Sequence, residues 1–147
     1  MVEQQQEITI AVVGSREACD YAFVEAKLLR KLEQYMSGGL TIKQFVSGEA
    51  PGVDAMVVDF CAKHKFNYRG IPADWDTHGK AAGFLRNSDI VAAADVVIAF
   101  WDRKSKGTKD SIDKALASRK ILQIYTLPEF PENGEPYRPT TRRLLKA

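Results

Sequence analysis

Short apolar runs alternate along the chain with longer segments in which apolar positions recur at helical spacing. The run at 8–13 is continuously apolar, which is typical of a strand buried on both faces, and 95–101 contains a second uninterrupted run. Shorter runs predict three further strands, at 41–46, 67–71 and 121–125. Apolar residues at helical spacing predict the intervening helices, over about 17–36, from about 52, over about 81–93 and over about 108–118.

This order of elements predicts an α/β fold. Strands that alternate with helices are typical of a Rossmann-like three-layer domain, with a mostly parallel five-stranded sheet and helices on both of its faces. We expect that domain to cover 1–127. The chain then changes character, because four of its six prolines and several basic residues fall in 128–147. We expect an extended C-terminal arm there, which packs on the domain or on a neighbouring subunit.

Three of the predicted strands end in a glycine-containing polar turn that leads into a predicted helix. These turns are Gly14-Ser15-Arg16, the segment 47–54 and Lys106-Gly107-Thr108. In an open α/β sheet such turns gather outside the carboxyl ends of the strands, where ligands bind. Helix N-termini behind glycines also offer backbone N–H groups and a positive dipole end. The sequence therefore predicts a ligand that is anionic, such as a nucleotide or a phosphorylated nucleoside.

The first turn has both a ligand-binding and a plain structural interpretation. Gly14 allows a sharp turn and a close approach of the backbone to a ligand. Ser15 can cap the helix or donate to a phosphate, and Arg16 can clamp an anion. The alternative is a simple turn with a capping serine and a surface arginine. The turn matches neither Gly-x-Gly-x-x-Gly nor the Gly-Lys-Ser/Thr of a phosphate-binding Walker loop.

The segment 47–54 is the most specific local stretch. Two glycines four residues apart bracket Pro51, and such a loop can present consecutive N–H groups as an anion nest. Asp54 either favours the helix dipole and holds the adjacent turns, or contacts the ligand. The predicted contacts from this loop are Ser47, Gly48, Gly52, Val53 and Asp54.

Further candidates lie around the predicted central strand. Arg86 and Asn87, on the helix before it, can bind phosphate or ribose, or belong to a solvated helix face. Thr108 can cap the helix after Gly107 and donate to a phosphate. Trp75, in the polar segment 73–80, either stacks on a base or covers the edge of the core.

Charge and composition narrow the class of partner. The net charge of the 147 residues is +2 at pH 7, which argues against strong non-specific binding to nucleic acid. No apolar run approaches the ~20 residues that a membrane-spanning helix needs. We expect a cytoplasmic protein without metal or organic cofactor, in which Cys19 and Cys61 are reduced and structural.

Taken together, these motifs resemble the SLOG superfamily, and in particular its small YspA-like branch, which is common in bacteria and phages. The resemblance extends over about 8–125 and rests on Val13-Gly14-Ser15-Arg16, Ser47-Gly48-x-x-x-Gly52-Val53-Asp54, Ala82-Gly83-x-x-Arg86-Asn87, and the strand at 94–101 followed by Lys106-Gly107-Thr108. It implies a domain that senses or sequesters a nucleotide-derived ligand, such as an NAD or ADP-ribose derivative, and that forms a homo-oligomer. Relatives include the Lonely-guy phosphoribohydrolases and the Smf/DprA DNA-processing proteins.

The resemblance also implies an enzymatic alternative. In the Lonely-guy enzymes an arginine before the central strand and a glutamate after a Gly-Thr pair cleave an N-glycosidic bond. Arg86 matches that arginine, but Ser111 stands where the glutamate would fall. A hydrolase or transferase would then need another carboxylate, and the candidates are Asp54, Glu49, Asp110 and above all Asp102, which follows the central strand. Ser111 favours binding without catalysis.

Overall fold

The computed structural model describes residues 6–130 and 134–140. The sheet has five strands, which are β1 (Gln6–Gly14), β2 (Leu40–Ser47), β3 (Tyr68–Gly70), β4 (Val96–Trp101) and β5 (Ile121–Thr126). Every pairing is parallel and the spatial order is β3-β2-β1-β4-β5. The predicted Rossmann-like α/β fold is therefore confirmed, with a sheet that is wholly rather than mostly parallel.

Five helices connect the strands, and they are α1 (Tyr21–Ser37), α2 (Val53–His64), α3 (Trp75–His78), α4 (Ala82–Ala93) and α5 (Lys106–Ala117). Helices α1 and α2 cover one face of the sheet, and α4 and α5 cover the other. Along β1, Ile10 and Val12 pack with the first pair of helices, whereas Ala11 and Val13 pack with the second. This two-sided burial explains why the strand is apolar at every position.

Several boundaries differ from the sequence prediction by a few residues, and an aspartate explains two of the differences. Helix α1 begins at Tyr21 rather than near residue 17, because the Asp20 carboxylate accepts the Phe23 N–H at 3.1 Å and caps the helix there. The segment 73–80, interpreted as a loop, contains α3 and the start of a single 3₁₀ turn at Gly79–Ala81. Asp74 caps α3 by accepting the Thr77 N–H at 3.1 Å.

The strand order places a topological switch point between β1 and β4. From β1 the chain moves outward through β2 to β3, and it then returns across the sheet to β4 and β5. The connections from β1 and from β4 therefore leave on opposite faces, which opens a crevice at their carboxyl ends.

The described part of the predicted arm lies against its own domain. The Tyr137 ring stacks on the Tyr21 ring with centroids 5.5 Å apart, and the Tyr137 hydroxyl donates to Asp59 Oδ2 at 2.5 Å. The Tyr137 N–H donates to the Ala18 carbonyl at 2.9 Å. The basic residues Arg142, Arg143 and Lys146, on which the arm prediction partly rested, lie outside the described residues.

Within residues 6–130 and 134–140, none of the helices combines the length and the apolar character that crossing a bilayer would require. Cys19 and Cys61 are both free thiols in this part of the chain, and burial raises the pKa of Cys61 to about 12.

Candidate functional site

A cavity of about 300 Å³ opens at the carboxyl edge of the sheet, beside the switch point. Seven of the residues predicted to contact a ligand line it, and they are Gly14, Arg16, Asp54, Arg86, Asn87, Gly107 and Thr108. Segments that are far apart in the sequence thus converge on one space. The other predicted residues (Ser15, Ser47, Gly48, Gly52, Val53 and Lys106) are not part of its lining.

Gly14 and Ser15 hold the wall of the cavity together. A Cβ at Gly14 would lie 2.6 Å from the Phe100 carbonyl oxygen and 2.5 Å from Val53 Cγ2, so only glycine fits between β4 and α2. The buried Ser15 donates its N–H to the Phe100 carbonyl at 3.2 Å and its hydroxyl to Asp102 Oδ2 at 3.3 Å. Ser15 therefore ties the end of β1 to the end of β4.

The loop between β2 and α2 uses its backbone donors inside the protein. Gly52 adopts φ +77°, and its N–H donates to the Tyr137 carbonyl at 2.8 Å. The Val53 N–H donates to the Ser15 carbonyl at 3.1 Å, and the Ala50 N–H donates to Asp54 Oδ2 at 3.2 Å. These three donors are not available to an anion, contrary to the nest that the glycine spacing predicts.

Arg86 and Asp54 are buried beside Gly48 at the base of the cavity. Arg86 is 8% exposed, donates through Nε to Asn87 Oδ1 at 3.2 Å, and donates through Nη1 to the Gly48 carbonyl. A Cβ at Gly48 would overlap the Arg86 guanidinium and lie 3.0 Å from Asp54 Oδ2. Gly48 therefore acts indirectly, because its missing side chain leaves room for the arginine.

The two charges do not neutralise each other directly. No ion pair joins Asp54 to any described basic residue. Burial raises the pKa of the Asp54 carboxyl to about 6, although the Arg86 charge and the Ala50 N–H act to lower it. No side-chain polar atom of the described residues is buried without a partner, and Arg86 Nη2 has no protein acceptor. This third guanidinium nitrogen therefore faces open space, and the space that Arg86 lines is the cavity.

The turn before α5 is built by two side chains and keeps part of its helix N-terminus open. Asp102 Oδ1 accepts the N–H groups of Lys104 at 2.9 Å and Ser105 at 2.7 Å. Ser105 Oγ accepts the Thr108 N–H at 3.3 Å, so Ser105 caps α5 and the predicted cap at Thr108 is wrong. Within the described ranges, the N–H groups of Lys106 and Gly107 find no acceptor. They remain available to a ligand.

Asp102 and Asp110, proposed above as catalytic carboxylates, do not line the cavity. Burial acts to raise the pKa of Asp102, but the hydrogen bonds that it accepts from Ser105, Lys104 and Ser15 outweigh burial and lower it. Asp110 accepts from Lys114 Nζ at 2.7 Å and from Asn87 Nδ2 at 3.2 Å. Both carboxylates are thus engaged in structural hydrogen bonds.

Glu49 lines a separate depression of about 140 Å³ beside Arg138. Of the four carboxylates considered from the sequence, Asp54 is therefore the one that lines the main cavity. Among the described residues, no three His, Cys, Asp or Glu side chains gather as a metal site would require.

Several lining residues were not among the predicted ligand contacts, and they are Val13, Ala50, Lys80, Gly83, Phe84, Ile90, Ser105 and Ser111. A signal existed for two of them. Phe84 is an apolar residue out of phase with the buried positions of α4, and it is 49% exposed. Ser111 lies one helical turn after Gly107, on the same face of α5.

Trp75 also lines the cavity, and it is 51% exposed, so it does not serve to seal the core. The Arg16 guanidinium carbon lies 5.8 Å from the centroid of the Trp75 ring. Three basic side chains, those of Arg16, Lys80 and Arg86, line the cavity against the one carboxylate of Asp54. The charge balance of the lining therefore favours an anion.

A parallel sheet with a cavity at its switch point defines a Rossmann-like domain, and solved structures share this fold. The molybdenum cofactor binding protein of Rippkaea orientalis superposes with a TM-score of 0.60 at 21% identity, covering 85% of this chain and 80% of that one. DNA processing protein A of Helicobacter pylori, described for its single-stranded DNA binding mode, gives 0.57 at 21% identity, over 95% of this chain and 72% of that one. The DprA protein of Streptococcus pneumoniae gives 0.56 at 20% identity, over 86% and 52%.

A curated relative is known over a short stretch. The Gene 61 protein of Mycobacterium phage D29 is 50% identical over 44 residues, which is 29% of this chain and 35% of that protein. The match thus spans about a third of the relative's length. No family model matches the chain. The comparisons establish the fold, together with a short stretch of likeness to a phage protein.

Proposed function

We propose that this chain binds a nucleotide or a nucleotide-derived ligand, as a sensor or sequestering module of the YspA-like branch of the SLOG superfamily. The observation that carries the proposal is the cavity at the switch point, with three basic side chains and the open first turn of α5 in or beside its wall. A volume of about 300 Å³ suits a ligand of mononucleotide size.

The phosphate of such a ligand fits best at the start of α5. Helix N-termini bind phosphate through free N–H groups and the positive end of the dipole. Among the described residues the Gly107 N–H has no acceptor, and Gly107 itself lines the cavity. Arg86 Nη2 can add a charge-assisted hydrogen bond from the cavity base.

An N-glycosidic hydrolase or transferase is the enzymatic alternative, and Asp54 is the residue that favours it. A buried carboxyl whose pKa is about 6 can hold a proton near neutral pH and donate it to a departing base. Arg86 beside it would stabilise the phosphate or the sugar. Asp102 and Asp110 are less well placed for this role, because neither lines the cavity.

Single-stranded nucleic acid is a second candidate ligand, in view of the DNA processing protein of similar fold. The feature that favours it is the presence of two half-exposed aromatic side chains, Trp75 and Phe84, in the lining of a cavity that also contains basic residues. Proteins that bind single strands combine aromatic platforms with basic grooves. A net charge of only +2 favours the smaller ligand.

The test is a thermal-shift screen followed by calorimetry, with mass spectrometry of each mixture after incubation. The ligands are AMP, ADP, ATP, NAD, ADP-ribose, other nucleoside monophosphates and a 20-nucleotide oligodeoxythymidine. A mononucleotide or ADP-ribose derivative that raises the melting temperature and is recovered intact supports the proposal. Recovery of free base and ribose phosphate establishes the enzyme instead. Tighter binding of the oligonucleotide than of every mononucleotide overturns the proposal in favour of nucleic acid.

A further inference from the structure

Two large aromatic side chains stand half exposed at the mouth of the cavity. Trp75 is 51% and Phe84 is 49% exposed, and neither belongs to the two hydrophobic clusters that form the core. Exposed aromatic surface that is concentrated at a concave site usually marks an interaction. The proposed phosphate contacts on α5 and Arg86 leave both rings without a role.

Trp75 is held in place before any ligand arrives. Its helix α3 is capped by Asp74, which accepts the Thr77 N–H at 3.1 Å. A Cβ at Gly83 would lie 3.5 Å from Trp75 Cη2, so the indole edge packs against the first turn of α4. Arg16 lies at cation–π distance from the ring. A platform that is already ordered costs less entropy when a ligand binds to it.

We propose that Trp75 is the platform on which the nucleobase of the ligand stacks, in a cavity that Phe84 also lines. This inference rests on the proposed function and deepens it, since it assigns the two ends of the ligand. The phosphate lies at α5 and the base lies at α3, so the cavity recognises a ligand with an aromatic ring rather than any sugar phosphate. Stacking uses the π face that every base has, so Trp75 selects for a base without selecting which one.

The experiment compares two ligands that differ only in the base. Titration calorimetry measures the Kd of AMP and of ribose 5-phosphate for the wild-type chain and for Trp75→Leu, which keeps an apolar side chain but removes the ring. The wild type should bind AMP about tenfold more tightly than ribose 5-phosphate, the size of one base–aromatic contact. Trp75→Leu should lose that preference because it binds AMP more weakly, while its Kd for ribose 5-phosphate stays unchanged. Trp75→Phe should restore most of the preference.

Each other outcome has a definite meaning. If neither ligand binds the wild type, this inference fails, whereas the proposed function fails only if none of the nucleotides in the thermal-shift screen binds. If AMP binds with the same preference to Trp75→Leu, the nucleotide site stands and the assignment of Trp75 is wrong. If Trp75→Leu weakens both ligands equally, the ring supports the cavity instead of the base, and the inference also fails. Leu116→Ala is the matched control, because Leu116 is 61% exposed and does not line the cavity.

Discussion

Two strand-to-helix turns look alike in the sequence and differ in what their backbones can do. The turn before α2 carries Gly48 and Gly52, and the turn into α5 carries Gly107. In the first, the donors of Ala50, Gly52 and Val53 are all used within the protein. In the second, Asp102 accepts the N–H groups of Lys104 and Ser105, and Ser105 Oγ accepts that of Thr108. Among the described residues, the N–H groups of Lys106 and Gly107 find no acceptor. Glycine spacing thus indicates where a backbone turns sharply, but not whether its N–H groups are free.

The largest effect that we expect from this difference is a loss of stability when Gly52, in the turn before α2, is substituted. Gly52→Ala should lower the free energy of unfolding by ~3 kcal/mol or more, because a side chain there combines positive φ with overlap of backbone atoms. The Cβ would lie 2.6 Å from the Arg16 carbonyl carbon at φ +77°. Urea denaturation measures the loss.

Gly107→Ala is the matched control for that substitution. No atom lies within 4 Å of a Cβ built at Gly107, and the residue is in the first turn of α5. The substitution should therefore stabilise the chain by ~0.5–1 kcal/mol through helix propensity. We call the turn before α2 the closed turn, since its donors are used within the protein, and the turn into α5 the open turn. If both alanines destabilise the chain alike, this distinction is wrong.

The closed turn is held in part by the C-terminal arm, through Tyr137. Removing the Tyr137 side chain should have the next largest effect on stability. Tyr137→Ala deletes the stacking on Tyr21 and the hydrogen bond to Asp59, and should cost ~2 kcal/mol of unfolding free energy. Since the Tyr137 carbonyl accepts the Gly52 N–H at 2.8 Å, amide exchange at Gly52 should also accelerate.

Hydrogen exchange followed by NMR checks this at single amides. Exchange at Gly107, whose N–H has no partner in the described residues, should not change in the same variant. Tyr137→Phe keeps the ring and should lose about half as much stability. Unchanged protection of Gly52 in Tyr137→Ala would show that the arm does not close the turn.

Asp54, which follows the closed turn, should make the free energy of unfolding depend on pH. Its pKa is raised from 3.8 to about 6 in the folded chain, so ionisation opposes folding above pH 6, and the opposition is relieved as the pH falls. Relative to Asp54→Asn, the wild type should gain ~1 kcal/mol of unfolding free energy between pH 7 and pH 5.

The pH range separates Asp54 from the carboxylates whose pKa is lowered, among them Glu25, Asp74 and Asp102. Hydrogen bonds from Lys63 and His64 lower the pKa of Glu25 from 4.5 to about 2, so its stabilising contribution is lost only as the pH falls below 4.5. The difference between the denaturation curves of the wild type and Asp54→Asn from pH 5 to pH 8 therefore reports on Asp54. Parallel curves for the wild type and Asp54→Asn over that range would contradict the raised pKa.

What the sequence could predict follows from how far apart the interacting residues are. The uninterrupted apolar run in β1 predicted a strand covered on both faces, and Ile10 and Ala11 do face opposite layers. The faces of a strand that are buried show in the sequence as a local pattern of apolar residues, so they can be recognised within a window of a few residues.

The candidate site depends on contacts that no local window contains. The Gly52 N–H is taken by Tyr137, 85 residues later, and Gly48 makes room for Arg86, 38 residues later. From the sequence, Asp102 is the best-placed catalytic candidate because it follows β4. In the structure its carboxylate accepts the backbone N–H groups of Lys104 and Ser105 in the same turn. The sequence leaves two roles open for Asp54, either support of the helix dipole and the adjacent turns or contact with the ligand. In the structure it is buried beside Arg86 and lines the cavity.

The smallest effect that we expect is on nucleotide binding at the cavity, next to the open turn into α5. Lys80 is exposed at the cavity wall, and Lys80→Ala should weaken nucleotide binding about two- to fivefold, because an exposed charge contact contributes ~0.5–1 kcal/mol. Lys109→Ala removes the same charge from α5 outside the cavity, where Lys109 pairs with Asp113 at 3.1 Å, and should leave the Kd unchanged. Calorimetry at two salt concentrations checks both, since added salt should shrink the Lys80 effect. Equal weakening by both variants would mean that the ligand responds to overall charge and that Lys80 makes no contact of its own.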